Sequence, residues 1–219
     1  MTTYLEILPE LLRGAGVTIQ LLLVSTLLAF TIAFIAGLGR VSKHFLVRKL
    51  TAVYVEVFRG TSLLVQMFWI FFALPLAFGL ELSPFWTGVI ALGLNYGAYA
   101  SEIVRSAITA IPKGQTEAAI ALNMTRWQRM RLVILPQAFR IMLPGFGNIS
   151  IELLKGTSLV SLITMADLTY QGLTLRNTNI SQTTEIFVAL LIIYFIIALP
   201  LIFTTRYLER RTARGVATQ

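Results

Sequence analysis

The sequence predicts an all-α membrane protein with five transmembrane helices and a structured loop on one side of the bilayer. Three observations predict it. Of the 219 residues, 56% are hydrophobic and only 13% charged, with a mean hydropathy of +0.77, whereas an ordinary soluble domain is about 25% charged. The apolar residues gather into runs close to the ~20 residues that cross a bilayer core. Fifteen of the eighteen lysines and arginines lie in three groups at the ends of those runs, and such an excess marks the cytoplasmic ends of spans. No Gly/Ser-rich or Pro-rich linker divides the chain, and no repeat recurs at periods of about 20 to 50 residues. Residues 1–219 therefore read as a single transmembrane domain.

The elements follow in chain order. Tyr4, Leu5, Leu8, Leu11 and Leu12 recur at helical spacing. Residues 3–13 are expected to lie at the interface as a short amphipathic stretch, with Pro9 tolerated near its start. The N-terminus lacks a basic region followed by a short apolar run and a small-residue cleavage site, so no signal peptide is expected to be removed. The first span covers about residues 15–39, the second 62–80 and the third 85–104. Ala29, Ala33 and Gly37 lie four apart on the first, and Gly93, Gly97 and Ser101 four apart on the third. That small-xxx-small spacing lets helix backbones approach, and it is read as packing within the chain. The fourth span, about 140–160, is less plain because Gly145, Gly147, Asn148, Glu152 and Lys155 interrupt it, and the fifth covers about 186–206.

The cations orient these spans. Arg40, Lys43, Arg48, Lys49 and Arg59 separate the first two; Arg105, Lys113, Arg126, Arg129, Arg131 and Arg140 follow the third; Arg206, Arg210, Arg211 and Arg214 follow the last. Arg13 and Arg176 are left for the other side, with Lys155 inside an apolar segment. An even number of crossings must separate the two basic regions at 105–140 and the C-terminus. The expected topology is thus a multi-pass protein with its N-terminus outside and its C-terminus in the cytoplasm. The net charge of +8 then belongs to topology and not to nucleic-acid binding, since the cations cap apolar runs and are not interleaved along one face. Cysteine is absent and His44 is the only histidine, which excludes thiolate chemistry and a multi-histidine metal site.

The most informative stretch is the loop 111–136, IPKGQTEAAIALNMTRWQRMRLVILP. It is too long for a simple connection and too patterned for disorder. Pro112 and Gly114 are expected to stop the helix leaving the third span. Glu117 to Leu122 reads as a short helix with its acid at the positive end. Asn123 suits the left-handed conformation that ends it, and Thr125 with Gln128 forms a capping box that starts a second helix, expected to stop before Pro136. Ala118, Ala119, Leu122, Met124, Trp127 and Met130 would then be offered as apolar surface.

Glu117, Ala118, Ala119, Asn123, Val133, Leu135 and Pro136 stand at the intervals of the EAA signature, so the loop resembles that of the permease subunits of bacterial ABC importers. Asn123 replaces the usual Gly, and Val133 the usual Ile. Tyr54 to Gln66 (YVEVFRGTSLLVQ), Tyr99 to Gln115 (YASEIVRSAITAIPKGQ) and Lys155 to Gly172 (KGTSLVSLITMADLTYQG) resemble segments of the polar amino acid subfamily of histidine and glutamine type, with Gly156 in place of a usual Asp or Asn. The resemblance implies a type I ABC importer permease fold in the bacterial cytoplasmic (inner) membrane. It also implies two cytoplasmic ABC ATPase subunits, a second permease copy or homologue, an external or periplasmic solute-binding protein, and a polar amino acid or derived zwitterion, such as the compatible solute ectoine, as cargo. Glu117, Ala118, Ala119, Leu122, Asn123, Met124, Trp127, Leu135 and Pro136 would form the ATPase-coupling element. No G-x-x-x-x-G-K-[ST] run is present, so the chain is not expected to be an enzyme, and ATP and Mg²⁺ are assigned to the partner ATPases.

Polar groups within spans are expensive and therefore candidates for the substrate path. Gln66, Asn95, Asn148, Glu152, Lys155, Thr157 and Ser158 are the candidates; Glu152 and Lys155, three apart, can neutralise one another, as a structural pair or as a zwitterion site. Glu56 with Arg59, and Glu102 with Arg105, are read as structural ion pairs anchoring span ends. Trp69, Phe71, Phe72 and Trp86 are read as lipid contacts or the outer interface. The alternative to an ATP-driven permease is a self-contained secondary transporter or channel. That class predicts an internal repeat or charges strung through several spans, and a membrane-embedded enzyme predicts a nucleophile with a base or a metal cluster; none is seen in the sequence.

Overall fold

A computed structural model describes the backbone of residues 2–213 and the side chains of residues 7–211. The side chains of Tyr4 and Leu5, and Arg214 altogether, lie outside the described residues. The described residues form helices throughout: α1 (Thr2–Arg40), α2 (Phe45–Gly60), α3 (Leu63–Phe68), α4 (Leu74–Phe78), α5 (Pro84–Thr109), α6 (Lys113–Ala121), α7 (Arg126–Gln128), α8 (Leu135–Gly156), α9 (Leu168–Thr178) and α10 (Thr183–Ala213).

At the centre stands α5, whose most extensive contact is with α1. The small residues explain why. A Cβ on Gly37 would come within 2.6 Å of Val104 Cβ and 2.8 Å of the Ser101 carbonyl oxygen, and one on Gly97 within 3.1 Å of the Ala29 carbonyl. The spacing of Ala29, Ala33 and Gly37 against Gly93, Gly97 and Ser101 thus serves packing within the chain. Below that contact, Ala33, Ala100, Val104 and Ala107 pack with Ala138, Met142 and Phe146 of α8. Above it, Leu21, Val89 and Leu92 pack with Met67, Ile70, Val160 and Ile163.

Several elements differ from expectation. The N-terminal stretch is not a separate interfacial helix: α1 runs unbroken for 39 residues with Pro9 inside it, about 58 Å at 1.5 Å per residue. Ile7, Leu11 and Ala15 are buried against Leu168, Ile186 and Leu190, so burial on α9 and α10 replaces the water interface. The basic connection after the first span is largely helical, as α2, which meets the helical segment Leu63–Phe78 at a bend of 103°. Three helical stretches are long and apolar enough to cross a bilayer: Ile7–Arg40, Arg126–Ile163 and Ile180–Arg211. Counting the bent pair as one makes four, against the five expected. The 26-residue α5 is long enough, but Asn95, its tyrosines and its glycines keep it below the others in apolarity.

Two π-helical segments, Trp69–Ala73 and Arg129–Ile134, lie immediately ahead of helices that carry proline at their first or second position, Pro75 and Pro136. Proline lacks the N–H for an i−4 bond, and its ring crowds the carbonyl of that residue. A wider turn upstream accommodates both defects. The helix from Arg126 therefore does not stop before Pro136, as its sequence suggests, but continues through it to Gly156 and on as a 3-10 helix over Thr157–Ile163.

Candidate functional site

Two regions carry the polar and exposed groups that the sequence singles out. The first is the loop between α5 and α8. Here α5 ends at Thr109, and α6 already includes Gly114, so Gly114 does not act as a stop. With α6 beginning at Lys113, Glu117 falls in its second turn and not at the positive helix end. The C-terminus of α6 closes as a Schellman motif: Asn123 adopts φ 55°, its N–H donates to the Ile120 carbonyl at 2.9 Å, and the Met124 N–H donates to the Ala119 carbonyl at 3.0 Å. Two residues later the next helix opens on a complete capping box. The Gln128 N–H donates to Thr125 Oγ1 at 3.3 Å, and the Thr125 N–H to Gln128 Oε1 at 2.8 Å. Gln137 Nε2 donates to Gln115 Oε1 at 3.2 Å, tying α8 back to α6.

These caps satisfy the backbone locally and leave apolar side chains uncovered. Leu122 is 71% and Trp127 68% exposed. Glu117, Ala118, Asn123 and Pro136 are also exposed, Met124, Met130 and Leu135 partly so. Ala119, expected on that surface, is buried where α6 meets the π segment, because it sits on the inner face of the short helix.

The second region is a cleft of about 440 Å³ at the bend between α2 and α3, lined by Thr61, Ser62, Leu63, Asn95, Tyr96, Tyr99, Ile149 and Glu152. Gln66 and Asn95 hold the bend. Asn95 Nδ2 donates to the Phe58 carbonyl at 2.9 Å and to Gln66 Oε1 at 3.1 Å, while Gln66 Nε2 donates to the Phe58 carbonyl at 3.0 Å and to Thr61 Oγ1 at 2.6 Å. The backbone groups freed by the break are thereby met from α3 and α5. Tyr54 Oη donates to the Leu94 carbonyl at 2.6 Å on the same side of α5.

Glu152 and Lys155 pair at 3.0 Å and are more than half exposed, so in this chain they are a surface pair and not a buried one. Glu152 lines the cleft at the bend. Lys155 and Ser158 line a separate groove of about 340 Å³ between α8 and α10, beside Leu154, Tyr194 and Ala198. Thr157 is buried and donates to the Leu154 carbonyl at 2.6 Å, and Ser158 donates to the Lys155 carbonyl at 2.8 Å. Asn148 is exposed and lines neither cleft. Tyr96, Tyr99, Thr61 and Ser62 were missed by sequence reasoning; the Gly-Thr-Ser run at 60–62, a turn signal inside an apolar region, marks their position. A Cβ at Gly156 would meet Tyr96 Oη at 2.5 Å, so Tyr96 occupies the space a side chain there would need, and its hydroxyl donates to the Glu152 carbonyl at 2.9 Å.

At the basic end, Glu102 accepts from Arg40 of α1 and from Arg105, whose Nε lies at 2.9 Å, and has Arg59 of α2 at 4.0 Å. The expected pair of Glu56 with Arg59 is replaced. Arg59 turns to Glu102 and lies over the Tyr99 ring at 5.2 Å, and Glu56 has no ion pair among the described residues. One carboxylate from α5 thus gathers the ends of three helices. At the opposite end, buried Asp167 caps α9: it accepts from the N–H groups of Tyr170 at 2.9 Å and Thr169 at 3.2 Å, and from Tyr194 Oη at 3.4 Å. Burial pushes its carboxyl up to about 6. Among the described residues no group of histidines and carboxylates is placed to hold a metal.

Residues 29–214 match the family described as binding-protein-dependent transport system inner membrane component. The chain is 49% identical over 207 residues to a probable amino-acid ABC transporter permease protein of Sinorhizobium fredii, covering 92% of this chain and 87% of that one. It is 43% identical over 209 residues to an L-cystine transport system permease protein of Bacillus subtilis, covering 95% and 89%. A crystal structure of an amino acid ABC transporter with histidines superposes with a TM-score of 0.88 at 34% identity, covering 96% of this chain and 97% of that chain. With its paired short helices between α5 and α8 and its broken helix at the polar cleft, the chain belongs to the family of inner membrane components of binding-protein-dependent transport systems, among the permeases of amino-acid ABC transporters.

Proposed function

We propose that this chain is the permease subunit of an ATP-driven importer for a polar amino acid or an amino-acid-derived zwitterion, working with two ATPases, a second permease copy or homologue, and an external solute-binding protein. The observation that carries the reading is the α6–α7 loop. It is rigidly capped at both helix ends, exposes Leu122 and Trp127, and runs without a break into α8, which carries Glu152 and Lys155 at its far end. A partner seated on α6 can therefore move the segment that lines both clefts. ATP and Mg²⁺ belong to that partner.

In this reading α5 is a fifth crossing, shielded from lipid by α1, α2 and α8, which is how it tolerates Asn95 and its tyrosines. The basic ends of the helices face the cytoplasm, with the N-terminus outside. Glu152 and Lys155 supply opposite charges at the mouths of two adjoining clefts, as a zwitterion requires, and Tyr96, Tyr99, Thr61 and Ser62 add neutral hydrogen-bonding groups. Cargo of the cystine class, as named for the Bacillus subtilis relative, is compatible with that set, and so is a compatible solute of the ectoine kind.

The test is to purify the complex formed by this chain, identify its subunits, and measure ATPase activity in proteoliposomes with candidate solute-loaded binding proteins. An ATPase that copurifies and is stimulated by one loaded binding protein supports the reading. Transport without ATP and without a copurifying ATPase would point instead to a self-contained transporter or channel.

A further inference from the structure

Between α1 and α2 lies a groove of about 260 Å³ lined by Ile32, Ile35, Ala36, Leu50, Thr51 and Tyr54. Its polar lining atoms are already used. Thr51 Oγ1 donates to the Val47 carbonyl at 2.8 Å, and Tyr54 Oη to the Leu94 carbonyl at 2.6 Å. The groove therefore offers a ligand only hydrocarbon, which excludes a polar solute and suits an acyl chain. At one end α1 and α2 close on each other, where a Cβ on Gly39 would meet Thr51 Cγ2 at 2.6 Å. Directly beyond that closure stand Lys43, His44, Arg48 and Lys49, all exposed.

Charge decides what the groove is for. From residue 11 to residue 55 the sequence contains no Asp or Glu, so this cluster has no acid of its own segment to pair with. Arg40 is engaged by Glu102, whereas Arg48 folds back only as far as the Ser42 carbonyl, at 3.3 Å, and Lys49 lies over the Phe45 ring at 5.8 Å. Beside the groove, α2 buries only Val55 and exposes Phe45, Leu46, Leu50, Val53 and Val57, an apolar face suited to hydrocarbon.

We infer that this groove and basic turn form a binding site for one anionic phospholipid, the acyl chain lying between α1 and α2 and the headgroup phosphate on Lys43, Arg48 and Lys49. A basic pocket between spanning helices has the chemistry to select an anionic headgroup, and the apolar groove above it fixes where the lipid sits. The site is separate from the polar cleft and from the α6–α7 loop, so it does not depend on the transport reading.

The intact complex containing this chain, in detergent, is exchanged with dioleoyl phosphatidylglycerol or dioleoyl phosphatidylcholine, and retained lipid is counted by native mass spectrometry. Phosphatidylglycerol is expected to be retained at a concentration about tenfold lower than phosphatidylcholine. The combined Lys43→Gln, Arg48→Gln and Lys49→Gln variant abolishes the preference, and Ala36→Phe, which fills the groove, reduces retention of both lipids. Neutralising Arg126, Arg129 and Arg131 instead leaves the preference in place. A Leu50→Trp variant adds a readout that keeps the cluster intact: brominated phosphatidylglycerol quenches its added fluorescence more than brominated phosphatidylcholine does. Equal retention or equal quenching by the two lipids, or a preference that survives loss of Lys43, Arg48 and Lys49 charge, overturns the proposal; a second protein copy covering the groove would give the first of these results.

Discussion

Asn123 shows how far a single residue can be read. An asparagine after an alanine-rich helix is a reasonable left-handed terminator, and its φ of 55° with two Schellman hydrogen bonds realises that expectation. Asp167 was not legible in the same way. Nothing in the local sequence says that the acid capping α9 lies beneath Tyr194 and beside Thr18, residues 27 and 149 positions away along the chain, whose hydroxyls meet the carboxyl and the adjoining Leu168 N–H. Burial raises its carboxyl from 3.8 to about 6. Between those values the folded protein holds a proton that the unfolded chain releases, so stability falls as pH rises through that window, by about 1.4 kcal/mol per unit, and levels off above it. Asp167→Asn cannot titrate. Its thermal midpoint in detergent, measured relative to the parent, is expected to rise between pH 4 and pH 7; a constant difference across that range would show that Asp167 is not held in its protonated form.

At the scale of elements, helix existence was readable from apolar runs and caps, but helix continuity was not. Pro136 looked like a stop because the sequence offers no sign that a π segment upstream can absorb it. Likewise 45–60 looked like a basic connection because its cations are prominent, although its apolar residues sit at helical spacing around one outward face. Glu102 does pair with Arg105, but the pairing of Glu56 with Arg59 failed for a related reason. Spacing of three suggested Glu56 with Arg59, yet Glu102 offers Arg59 a carboxylate already gathering Arg40 and Arg105, and sequence spacing cannot show a partner on another helix. The small-residue stripe is the clearest success, and it can be tested. At Gly37 a methyl group would stand 2.8 Å from the Ser101 carbonyl oxygen, a backbone atom that cannot turn away. Gly37→Ala is expected to force α1 from α5 and cost about 1–3 kcal/mol, read as a lowered thermal midpoint of the purified complex. An unchanged midpoint would mean that the two helices are free to separate there.

For the whole molecule, the family was legible because its motifs are local runs of chain, whereas the cleft was not, because it is assembled from the break after α2, the middle of α5 and the far end of α8. Gln66 and Asn95, singled out as path residues, both act on the break itself by hydrogen-bonding the Phe58 carbonyl, and Asn95 lines the cleft together with Tyr96 and Tyr99. The same assembly joins the two candidate regions: α8 leaves the capped loop at one end and reaches Glu152 and Lys155 at the other. The most direct test counts solute taken up and ATP hydrolysed in the same proteoliposomes, for the parent and for a Leu122→Asp, Trp127→Asp variant that alters only exposed side chains. The account predicts that the variant inserts and folds normally but loses at least about tenfold in ATP-dependent uptake. Uptake at the parental rate, with hydrolysis still linked to it, would contradict the claim that this loop carries the coupling.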